Sequence, residues 1–68
     1  MIAVAKIPET VPDWQPADGA RVDLAANYYV ETNDRGLEAW SGQLLYARMR
    51  PEFVHGRAVR IAKIEEQS

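Results

Sequence analysis

The chain has 68 residues, a formal net charge of −2 and 47% hydrophobic residues, enough for one domain with a small core. A chain this short buries only about 60% of the surface its unfolded form exposes, so its stability is marginal and a larger partner or a second copy suits it. With no cysteine and one histidine, disulfide staples and thiolate zinc sites are excluded, and with no long apolar run a transmembrane helix or signal segment is excluded too.

Ile2–Ile7 is rich in Val, Ile and small residues and reads as a short strand ended by Pro8. Residues 8–19 form a proline-rich connection, with Pro8, Pro12 and Pro16 followed by Asp18-Gly19. Trp14 lies in its middle, either folded back as a lid on the core or presented to a partner, and the lid is preferred. Arg21–Thr32 alternates, with Val22, Leu24, Ala26, Tyr28 and Val30 on one face, which predicts a strand. Asn33-Asp34-Arg35-Gly36 suits a type I turn closed by a left-handed glycine. Leu37–Met49 is then a returning strand, with Thr32 facing Leu37, Val30 facing Ala39, Tyr29 facing Trp40 and Leu24 facing Leu45. Ser41-Gly42 marks a bulge or bend in it. A helix over 37–49, capped by Asp34 and ended before Pro51, competes with that strand. Arg57–Glu65 reads as a last strand, and its tail echoes residues 4–9, which suggests that the two termini occupy similar strand environments.

These elements predict a small β-rich single domain. Its antiparallel sheet has a long central hairpin at about 21–49 and flanking terminal strands, with a small open barrel as one form that such a sheet takes. The alternative is α+β, with a helix near 37–49 and a wing-like hairpin at 51–64.

The charge is sorted along the chain. From residue 48 to residue 63 the fixed cations are Arg48, Arg50, Arg57, Arg60 and Lys63, opposed only by Glu52, while the acids gather in the first half. Such a segment suits phosphates, with Tyr46 and Phe53 available for stacking, or an acidic protein surface. The plainer reading pairs these cations with the acidic half inside one fold or between protomers. Within the segment, Pro51-Glu52-Phe53-Val54-His55-Gly56-Arg57-Ala58-Val59-Arg60-Ile61 resembles the wing of small excisionase-type winged-helix proteins. The resemblance covers this stretch alone and implies contact with a DNA backbone.

Chemistry-bearing groups are sparse. His55 beside Gly56 is an ordinary loop histidine, and nothing in the spacing of Ser41, His55 and Asp34 makes them a nucleophile, base and orienter. Glu31 and Glu38 face each other near the turn in the expected register, as solvated surface carboxylates. No enzyme activity, cofactor or metal is expected. The expected role is non-enzymatic: a small protein-binding module such as an inhibitor, adaptor or accessory subunit. It would dock on a larger protein or nucleoprotein machine, of phage or mobile-element type on size alone. Its contacts would come from Trp14, Tyr29, Trp40 and Phe53. The alternative is a nucleic-acid-binding regulator using Arg48, Arg50, Arg57, Arg60 and Lys63. A cytoplasmic location, no membrane contact and possible homo-oligomers complete the expectation.

Overall fold

The computed structural model describes residues 10–11, 13–53 and 55–65; the expected strand at Ile2–Ile7 and its likeness to the C-terminal tail lie outside them. The elements are β1 (Gln15–Pro16), β2 (Asn27–Thr32), β3 (Gly36–Ser41), α1 (Gly42–Arg48) and β4 (Ala58–Ile64). The strands form one antiparallel sheet in the order β1-β4-β2-β3. The domain is therefore β-rich, as the sequence predicts. The β2–β3 hairpin lies to one side, however, and β4 is an interior strand between β1 and β2 rather than a flank. Among the described residues the sheet is open, with β1 and β3 at its edges.

Period-2 alternation along β2 separates its two faces. Tyr28, Val30 and Thr32 are buried, while Asn27, Tyr29 and Glu31 face the other way. The buried face packs with Trp40 of β3, Leu45 of α1 and Ile61 and Ala58 of β4, and Ala17 from the connection before β2 seals it. Leu45, Ile61 and Val30 are the largest fully buried side chains, each contributing about 1.5–3 kcal/mol of burial.

The hairpin turn has the predicted chemistry but a different register. Gly36 is left-handed, with φ 79°, and it pairs with Thr32 as the first residue of β3. The Thr32 hydroxyl locks the turn, accepting from the Arg35 N–H at 2.9 Å and donating to the Gly36 carbonyl at 3.3 Å. Because the glycine sits inside the ladder, the expected pairs near the turn move by one residue: Val30 faces Glu38, Tyr29 faces Ala39 and Tyr28 faces Trp40; the expected Leu24–Leu45 pair is not formed. A one-residue slip exchanges faces. The expected Tyr29–Trp40 pair is thus replaced by a buried Tyr28–Trp40 pair. Glu31 and Glu38 fall on opposite faces; the Trp40 indole N–H donates to Glu38 at 3.3 Å.

The hairpin is also shorter than the expected 21–49. Residues before Asn27 form a turn, in which the Asp23 carboxylate accepts from the Ala25 N–H at 3.0 Å and the Asp23 carbonyl from the Ala26 N–H at 3.1 Å. Leu24, expected on the core face, is half exposed at 50% on that turn. On the return, the strand ends at Ser41, and the helical reading holds only for Gly42–Arg48. Ser41, not Asp34, is the cap, its hydroxyl accepting from the Leu44 N–H at 3.2 Å. Leu44, Leu45, Ala47 and Arg48 are good helix formers. A helix of this length is unstable alone, so the burial of Leu45 against the sheet holds it. Ser41-Gly42 is therefore the strand-to-helix junction rather than a bulge. Gly42 is buried there, and its N–H donates to the Ala26 carbonyl at 2.7 Å.

The wing-like hairpin at 51–64 is not formed. Residues 49–52 continue as turns after α1, and the following strand pairs with β2 and β1 rather than folding back on itself. Ile61 and Ala62 are buried in the middle of the sheet, where a projecting wing would be solvated. A register irregularity at Glu31/Thr32 brings Thr32 opposite Ala58 and leaves Val59 without a β2 partner, 50% exposed.

Candidate functional site

The sheet face turned away from α1 carries the most distinctive arrangement of side chains. The registers place Arg60 opposite both Glu31 and Pro16, and Ala62 opposite Tyr29. Trp14, one residue before β1, lies on this face too: the Arg60 guanidinium stacks on its ring, 4.4 Å from the centroid. From the other side, Arg60 Nε donates to Glu31 Oε1 at 2.8 Å, and Nη2 reaches the same oxygen at 2.6 Å. A planar, weakly hydrated guanidinium is the group that combines an aromatic stack with a carboxylate bond. The Trp14–Arg60–Glu31 ladder holds Trp14 on the sheet, and Trp14, Tyr29 and Ile64 are each half buried on this face. A groove of about 520 Å³ runs along this part of the sheet, with Val11, Tyr29, Ala62 and Ile64 as its apolar part and Asp13, Gln15, Lys63 and Glu65 as its polar part. The preferred lid position for Trp14 is thus not occupied; Ala17 fills that role on the core side.

The basic segment does not form one patch. Arg57 approaches Asp18 at 3.9 Å, Arg60 holds Glu31, and Lys63 Nζ donates to Asp23 at 3.4 Å. All three acids come from the acidic first half, so the sorting of charge along the sequence becomes pairing within one fold. Arg50 bonds Glu52 at 3.0 Å, and Arg48 lies over the Trp40 ring at 5.8 Å. Arg60 faces the Trp14 side of the sheet, whereas Lys63, opposite Tyr28, faces the core side. The cations are therefore distributed around the domain. The Ala25 N–H and then the Lys63 ammonium hold the Asp23 carboxyl below its ordinary pKa of 3.8.

Of the residues expected at a protein contact, the structure brings Trp14 and Tyr29 to one face. Trp40 is not with them: the register shift puts it in the core, 8% exposed. Phe53, 40% exposed, lies after α1, where its N–H donates to the Arg50 carbonyl at 3.0 Å. Ser41 and Asp34 sit at opposite ends of β3, separated by about 20 Å of strand, so they form no triad with His55. Ser41 is in any case engaged as a helix cap. Sequence reasoning gave Glu31 no role at this site, although it orients Arg60. That pairing depends on the β2–β4 register, which no local pattern announces.

Among the described residues, no cluster of His, Asp or Glu is arranged to hold a metal ion, and no helix is long and apolar enough to cross a membrane. No protein-family model matches the chain, and searches of curated proteins and of solved structures find no significant match.

Proposed function

We propose that this chain is a non-enzymatic protein-binding module, an inhibitor, adaptor or accessory subunit that docks through the sheet face opposite α1. One observation carries the reading. Trp14, Leu37 and Ile64 are half-exposed on that face, and the Arg60 guanidinium stacks on Trp14. A partly exposed tryptophan stacked against a sheet is the kind of anchor that dominates protein contacts. The groove's apolar part, Val11, Tyr29, Ala62 and Ile64, suits apolar side chains of a partner, with Asp13, Glu65 and Lys63 as polar contacts around them.

Affinity capture from a host lysate with the wild type and Trp14→Ala tests the reading. Wild type should retain one dominant protein partner that Trp14→Ala loses while keeping its circular dichroism spectrum. Equal recovery by the folded variant refutes the face. A nucleic-acid regulator is less well supported, because Arg57, Arg60 and Lys63 already hold acids of the same chain. Tight binding of a labelled duplex that weakens steeply with salt would replace the protein reading with that one.

A further inference from the structure

A second groove lies on the other side of the molecule, where the loop before β2 meets the C-terminal end of α1. Ala20, Val22 and Met49 pack on the core from outside and form its floor without being fully buried. Tyr46 lines one side of it, 60% exposed, on a turn of α1 that faces away from the sheet. The groove is shallow and open, with a volume of about 720 Å³, and its two charged lining groups are Arg21 and Arg50. Arg50 shares its charge with Glu52. Arg21 is exposed and makes no ion pair with a described residue.

We infer that this groove binds an acidic peptide segment of a protein partner, with apolar side chains on the Ala20–Val22–Met49 floor and carboxylates on Arg21 and Arg50. The apolar floor alone would be indifferent to the partner's charge; Arg21, with Arg50 beside it sharing its charge with Glu52, favours an anionic one over a cationic one. A nucleic acid fits less well. A phosphate chain gains affinity from several cations in a row, and this groove offers two, of which Arg50 is already paired with Glu52. The site is separate from the Trp14 face and does not depend on it.

Titration of the isotope-labelled chain by NMR tests the inference. The probe is a short synthetic peptide that alternates glutamate with leucine. Its controls carry lysine for glutamate or serine for leucine, and a short single-stranded oligothymidylate supplies the phosphate arm. The acidic, apolar peptide should give saturable shifts at residues 20–22 and 46–51, and neither peptide control should do so. Arg21→Glu and Tyr46→Ala change exposed side chains, so both should keep the folded spectrum while weakening the peptide by roughly tenfold, the effect of losing about 1.4 kcal/mol. Trp14→Ala should leave this binding unchanged. Equal binding of the lysine peptide, shifts confined to the Trp14 face, no shifts at all, or stronger perturbation of the same amides by the oligothymidylate would each overturn the inference.

Discussion

At the scale of single residues, Gly42 and Asp23 decide how the loop before β2 closes on α1. Gly42 is buried beneath that loop, and a Cβ added to it would collide with the Asp23 carbonyl oxygen and crowd Leu24 Cα. These are backbone atoms, so they move only if the turn moves. Gly42→Ala should therefore cost about 1–3 kcal/mol although alanine is the better helix former. Small domains seldom hold more than about 3–5 kcal/mol, so the variant should show a markedly lower thermal midpoint. An unchanged midpoint would mean that the turn yields freely. Asp23 adds a dependence on pH. Its folded-state pKa is lowered, so its stabilisation is present above the unfolded value near 3.8 and is lost as pH falls through the lower folded value. Asp23→Asn keeps an acceptor for the Ala25 N–H but cannot change charge. Thermal melts across the acidic range should show a shallower loss of stability for this variant than for wild type. Parallel curves would assign the acid sensitivity to other carboxylates.

At the scale of elements, the least legible boundary in the sequence is the most consequential one. Tyr28–Glu31 and Val59–Ile61 carry β-type side chains, and both segments are strands where the pattern places them. Leu44, Leu45 and Tyr46 suit a strand and a helix equally, and the choice rests on one hydroxyl at Ser41. Ser41→Ala should cost about 1 kcal/mol and lower helical ellipticity, whereas Ser41→Asp should restore both. An alanine variant with full ellipticity would show that the packing of Leu45 alone defines the helix start. The hairpin register was hidden for a related reason. A loop of three residues that ends on a paired glycine and one of four that ends before Leu37 use the same letters, yet they place Trp40 on opposite faces. The turn at Asp23 was hidden as well, because its hydrogen bonds are local and leave the hydrophobic alternation of 21–26 intact.

At the scale of the whole molecule, the two tryptophans have opposite duties, and substitution separates them. Trp40→Ala empties part of a core with few large side chains; a loss of about 3–5 kcal/mol is enough to unfold the domain. Trp14→Ala removes an aromatic stack outside the core and should cost about 0.5–1 kcal/mol. Chemical denaturation of both should give a cooperative transition for Trp14→Ala and none, or a much earlier one, for Trp40→Ala. Similar midpoints would contradict the two-faced reading of the sheet. The difference also bears on function, since only the Trp14 variant can report on a lost partner while still folded. The sequence showed that its charges were sorted but not what sorted them. Asp18, Glu31 and Asp23 meet Arg57, Arg60 and Lys63 only through pairings between segments far apart in the chain.

The position of β4 in the sheet has a consequence for synthesis. β1 pairs only with β4 among the described strands, and β2 has β4 on the side away from β3, while β4 is the last of these strands in chain order. Until residues 58–64 emerge, the nascent chain has a hairpin and a short helix, with Val30 and Leu45 lacking the cover of Ile61. The domain should therefore close late and in one step. A stalled chain ending before Ala58 should be protease-sensitive along its whole length.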